Sequence, residues 1–159
     1  IKMMDRLNPK RIVIVSSAPQ IRFPDCYGID MAKLEGLVAF RAALELLKER
    51  NLYHIVDEVY AKCKAQENYH DNDVVNYVTA IYEPFAPQEI SDKIAEMLSS
   101  PEINAEVKII FQTVEDLHTA CPKNLGDWYF TGDYPTPGGN RVVNRAFMNF
   151  YEGKDARAY

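Results

Sequence analysis

The chain has 159 residues, 47% of them apolar and 26% charged, with a formal net charge of −5. That length suits one domain, or one domain with a small appendage, and that composition excludes wholesale disorder. The acidic balance argues against a general nucleic-acid or anionic-membrane binder, and no apolar run approaches the roughly 18 residues of a membrane span.

No basic segment leads into an apolar stretch, so no secretory leader is expected. The three cysteines, Cys26, Cys63 and Cys121, are too scattered for a disulfide framework, and their odd number suits a reducing, cytoplasmic setting. The chain opens Ile-Lys-Met-Met without an initiator methionine, so a piece of something longer is expected.

Asn8-Pro9 is a turn signal ahead of residues 11–17 (RIVIVSS), a β-branched run that is apolar at consecutive positions. That pattern predicts a strand buried on both faces of a parallel sheet. The prolines of Ser17-Ala18-Pro19 and Arg22-Phe23-Pro24 keep the next stretch extended, and residues 26–30 read as a second short strand or a loop. From Met31 the apolar period turns helical. Leu34, Leu37, Val38 and Ala42, then Leu44 and Leu47, predict a first helix ending at Lys48-Glu49-Arg50. Ile55, Val59, Tyr60 and Cys63 predict a second helix. Val74, Tyr77, Val78 and Ile81 predict a third, stopped by Pro84. Pro87 suits the first turn of a fourth, with Ile90, Ile94, Met97 and Leu98 on one face and Ser99-Ser100-Pro101 at its end. Short loops between them favour a compact helical cluster. The strand pattern returns at residues 107–111, and Thr113, with Asp116 three residues on, predicts an N-capped short helix through Cys121. Residues 126–139 are rich in aromatics and turns, and residues 140–151 predict a closing helix.

Few side chains offer chemistry. His54, His70 and His118 lie far apart, without a second histidine at ligand spacing. His70-Asp71-Asn72-Asp73 could hold a hard cation with its two carboxylates, but a solvated loop uses the same short polar residues and explains the run more simply. There is no CxxC pair. Cys63 and Cys121 are expected to be small buried hydrophobes, and Asp25 beside Cys26 would raise, not lower, that thiol's pKa. GxGxxG, Walker and GxSxG loops are absent. Gly138-Gly139 ahead of Asn140-Arg141 could present a helix N-terminus to a phosphate, but a helix-opening turn is the commoner use of such a pair. No apolar run ends in two acidic residues and a Gly-Thr loop, with which a phosphoribosyltransferase cradles its pyrophosphate-bearing ribose. No catalytic residue and no metal ligand is therefore assigned.

Residues 15–31, VSSAPQIRFPDCYGIDM, resemble the segment that follows the phosphoribosylpyrophosphate loop in the glutamine phosphoribosylpyrophosphate amidotransferases, or amidophosphoribosyltransferases. The family pattern there is a strand, then S-A-x-P, I-R-[FY]-P and Y-G-I-D-M. Downstream, residues 107–120 (VKIIFQTVEDLHTA) resemble the family's late strand and helix, and residues 130–136 (FTGDYPT) its F-T-G-x-Y-P-T. The resemblance implies an α/β fold: a partial phosphoribosyltransferase-type unit over residues 1–32 and 105–159 with a C-terminal helix. Residues 33–104 are then mainly helical, and the inserted part is about 49–104. A core-forming insertion is the bland account of that part; a docking surface or a lid over a nucleotide site is the sharper one.

The resemblance further implies a parent enzyme in which an N-terminal cysteine releases ammonia from glutamine. The ammonia then displaces pyrophosphate from phosphoribosylpyrophosphate, with magnesium, in purine biosynthesis. Both the glutaminase cysteine and the pyrophosphate loop lie upstream of the strand matched here, so this chain is expected to be a C-terminal portion, inactive alone. Its expected partners are the rest of the parent chain and, for that parent, phosphoribosylpyrophosphate and purine nucleotides. By the family pattern, Tyr27, Asp30 and Met31 border the nucleotide site, although Tyr27-Gly28 as a simple turn and Asp30 as a helix cap serve equally well. Ala32 stands where the family continues with a proline. Some members place two cysteines before F-T-G for an iron–sulfur cluster; Gly126 and Tyr129 occupy those positions here, so no cluster is expected. A non-catalytic regulatory or protein-interaction module derived from the family is the alternative. A severed sheet would expose a strand edge, so the piece is expected to form a homodimer or to cover that edge with its own termini.

Overall fold

Two β-branched runs, 95 residues apart, form the sheet: β1 (Arg11–Ser16) and β2 (Glu106–Phe111) pair in parallel, from Arg11 opposite Glu106 to Ser16 opposite Phe111. The computed structural model describes residues 1–25, 31–124 and 126–158. The short strand or loop expected at residues 26–30 lies outside the described residues. Side chains alternate across a strand, so Ile12 and Ile14 share a face with Val107 and Ile109. That face meets the helices and buries Ile12 and Ile109.

The opposite face corrects the sequence reading. Val13 is 47% exposed, Val15 is 70% exposed, and Ile110 is exposed beside them. Burial on both faces needs cover from both sides, and the described helices that meet the sheet lie on the inner side. The outer face carries an ion pair at its start, Arg11 Nη2 to Glu106 Oε2 at 2.7 Å, and apolar side chains toward its end.

Before β1, the short helix α1 (Lys2–Asp5) ends in a buried carboxylate. Asp5 accepts the amides of Asn104 (3.1 Å) and Ala105 (2.9 Å), tying the start of the chain to the entry of β2. Between the strands run α2 (Val38–Glu49), α3 (His54–Ala65) and α4 (Pro87–Leu98); after β2 come α5 (Val114–Ala120), α6 (Trp128–Thr131) and α7 (Pro137–Tyr151). α4 packs on both α2 and β2, and α7 on α3. One apolar core runs from Phe23 through the helices to Ile109 and Phe147. Its centre is Phe40, edge-on to Phe147 at 6.2 Å and to Phe150 at 4.9 Å. The helices read as an insertion therefore share the core of the flanking segments. The fold is α/β.

Three elements and one cysteine differ from their predicted form. The first helix begins at Val38, because Leu34–Gly36 is a single 3-10 turn and Leu37 is extended. The predicted third helix is replaced by two 3-10 turns, Asp71–Asp73 and Tyr77–Ile81. There the Gln66 side chain takes both the N–H (2.8 Å) and the carbonyl (3.0 Å) of Val75, so that residue bonds outward and not to a helical neighbour. The closing helix starts at Pro137 and takes Gly138 and Gly139 into its first turn. A Cβ on Gly139 would overlap the Tyr134 ring, so close packing explains that glycine. Cys63 is buried, and burial pushes its thiol up to about 12, but Cys121 is exposed. Cys121 caps α5, which buries none of its own residues, so no core reaches it. Among the described residues no helix is long and apolar enough to cross a membrane.

Candidate functional site

In a parallel sheet the loops that leave the strand C-termini converge on one edge, where open α/β folds bind ligands. Here they enclose a cavity of about 240 Å3. Pro19, Gln20 and Arg22 line it from the chain after β1, Phe111 and Thr113 from the end of β2. The first turn of α4 and Phe130 complete the wall.

The loop after β1 is tightly held. Ser16 Oγ donates to the Ala18 carbonyl at 2.9 Å, closing the turn. Gln20, only 4% exposed, donates from Nε2 to the Pro87 carbonyl (2.7 Å) and to Ser91 Oγ (2.8 Å). Its amide oxygen is thereby fixed toward Arg22, accepting from Nε at 3.2 Å and from Nη2 at 2.8 Å. The Arg22 guanidinium lies over the Tyr82 ring, 5.4 Å from its centroid, and Tyr82 donates its hydroxyl to the Arg22 carbonyl at 2.5 Å. Burial lowers the Arg22 pKa, an effect Tyr82 offsets in part, and holds the Tyr82 phenol well above its usual range.

The next residues dock on α6. The amides of Arg22 and Phe23 both donate to the Tyr129 carbonyl, at 2.8 and 3.1 Å. Trp128 Nε1 donates to the buried Asp25 carboxylate at 2.9 Å, and Tyr134 donates its hydroxyl to the Pro24 carbonyl. Gly132 ends α6 with φ +83°, and a Cβ there would sit 2.9 Å from the Phe23 ring. The glycine of F-T-G is thus required twice over, by its left-handed backbone and by the close approach of Phe23. Segments 15–25 and 128–134, about a hundred residues apart in sequence, form one packed unit.

Of the residues expected to border a nucleotide, Tyr27 and Asp30 lie outside the described residues. Met31 accepts the Asp25 amide through its carbonyl at 3.1 Å and does not line the cavity. Gln20, Ser91 and Thr113 were not singled out from the sequence as site residues. Arg22 stood inside a quoted motif, but spacing alone does not show that it enters a cavity. Among the described residues no nucleophile–base pair lines the wall: Ser91 Oγ bonds Gln20 and the Pro87 carbonyl, and Thr113 Oγ caps α5 by accepting the Asp116 amide at 3.0 Å. Among the described residues no group of three or more His, Cys, Asp or Glu could hold a metal ion.

No family model matches the chain, and neither a curated protein nor a solved structure matches it.

Proposed function

We propose that the chain is the C-terminal portion of an amidophosphoribosyltransferase. Its full-length parent makes phosphoribosylamine from phosphoribosylpyrophosphate and glutamine in purine biosynthesis, in the cytoplasm, and the portion is not catalytic alone. One observation carries the reading: the two segments that resemble the family, residues 15–31 and 130–136, meet through their described parts, by the Tyr134 hydroxyl donating to the Pro24 carbonyl and by the contact of Gly132 with Phe23. Chance likenesses in unrelated parts of a chain have no reason to pack on one another. The parallel pairing of the strand before the first match with the strand of residues 107–111 agrees with a partial phosphoribosyltransferase-type sheet. In this reading the ammonia-releasing cysteine, the pyrophosphate loop and the magnesium belong to the upstream part of the parent, which is this chain's principal partner. No iron–sulfur cluster is expected, since Gly126 and Tyr129 offer no thiolate.

The test is made on the parent. Its reading frame upstream of Ile1 is expected to encode an apolar strand ending in two acidic residues and a Gly-Thr loop, with a cysteine next to the initiator methionine. The purified parent is expected to release pyrophosphate from phosphoribosylpyrophosphate with either glutamine or ammonia. An intact parent that does neither, or a frame whose loops are degraded, overturns the enzyme reading and leaves a regulatory or binding module.

A further inference from the structure

We propose that the cavity at the strand C-termini binds the anionic group of a small molecule, phosphate in the first instance, with the Arg22 guanidinium as its principal ligand. Removing a guanidinium from water is costly unless an opposite charge meets it. Arg11 and Arg50 each have such a partner, Glu106 and Glu89 respectively. Arg22 has none among the described residues; its fork is held by the neutral amide oxygen of Gln20. Gln20 is itself clamped by Pro87 and Ser91, so it aims the guanidinium without neutralising it. A glutamate at position 20 would cancel the charge and could not donate to the Pro87 carbonyl.

Two further features of the wall suit an anion. The first turn of α4, a 12-residue helix, borders the cavity with Pro87 and Gln88. Pro87 has no N–H and the Glu89 amide bonds the Ala86 carbonyl at 3.0 Å, so the turn offers the Gln88 amide, at the positive end of the helix dipole. Thr113 Oγ accepts the Asp116 amide, which leaves its hydroxyl proton to donate. Against these stands one lining carboxylate, the exposed Glu115. Glu89, on α4, is engaged by Arg50 and by the Ala86 amide. The volume suits a small metabolite, and Pro19, Phe111 and Phe130 offer an apolar surface to the body of such a ligand. The inference stands on the cavity and not on the parent's activity, so the two fail separately.

The experiment is a titration of the 15N-labelled chain with inorganic phosphate and, separately, pyrophosphate, at constant ionic strength, followed by amide and Arg22 Nε–H shifts. Saturable shifts are expected at Arg22, Gln88, Thr113 and Val114, with half-saturation on the order of millimolar. Arg22→Met and Gln20→Glu are each expected to weaken that binding roughly tenfold or more. Gln20→Glu acts by placing a fixed carboxylate against the guanidinium, and it carries the test should Arg22→Met fail to fold. Shifts that are absent, that grow linearly over surface lysines, or that persist unchanged in the folded variants overturn the proposal.

Discussion

At Gly132 a single hydrogen in place of a side chain lets two distant segments meet. Its φ of +83° and the Phe23 ring 2.9 Å from a would-be Cβ act together. Gly132→Ala is expected to cost about 1–3 kcal/mol from the backbone strain alone, read as a lower urea midpoint; an unchanged midpoint would show that the α6 turn relaxes freely. Phe40 is the counterpart in the core, fully buried between Phe147 and Phe150. Truncation to alanine is expected to cost about 3–5 kcal/mol through lost burial and the cavity left behind, measured by the same denaturation. The two positions also differ in how far the sequence exposes them. Phe40 was not among the residues that marked the helical stripe of α2, although its burial follows from helix packing. Gly132 was visible only as part of a quoted motif, because neither a positive φ nor a long-range approach leaves a mark on spacing.

Among the elements, α4 was the most legible from sequence, and the reason is local: Pro87 is its first helical residue and Ser99 closes it. Its start is held by half of a capping box, in which Glu89 Oε2 accepts the Ala86 amide at 2.7 Å while Ala86 has no side-chain oxygen to reciprocate. That bond first, and then Arg50, holds the Glu89 carboxyl below its ordinary value. A carboxyl depressed by folding adds stability that is present above its unfolded pKa, about 4.3, and is lost as pH falls through the lower folded value. The thermal midpoint is therefore expected to fall between roughly pH 5 and pH 3, and less steeply in Glu89→Gln. Equal slopes in the two proteins would remove Glu89 from the acid transition. The predicted third helix failed for the opposite reason. Its apolar spacing was sound, and Val78 and Ile81 are buried as that spacing required. But Gln66 bonds Val75, and Asn76 accepts the Val78 amide at 3.0 Å, so the backbone there turns more tightly than an α-helix. Side-chain competition for backbone groups from nine residues away does not appear in a hydrophobic period.

For the molecule as a whole, the class of fold was legible and the covering of its sheet was not. Consecutive apolar residues in β1 predicted two buried faces, yet Val13 is 47% and Val15 is 70% exposed on the outer face. Between Ile12 and Ser17 the strand carries no charge and no proline, the usual means of blunting an edge. The chain is therefore expected to self-associate as its concentration rises, and Val15→Lys to suppress this, by sedimentation equilibrium. A wild-type monomer at all concentrations would show that this edge repels copies of itself without further help. The strand pairing has another consequence, in time. Arg11 and Glu106 are 95 residues apart, and closing a loop of that length costs about 4 kcal/mol of chain entropy. The helices between the strands make mostly nearer contacts, and as they assemble they bring the two ends of that loop together. The sheet is then a late arrival, joined once the intervening helices have met, and slow relative to them. Ile12→Val is accordingly expected to speed unfolding in stopped-flow measurements while leaving the refolding rate nearly unchanged.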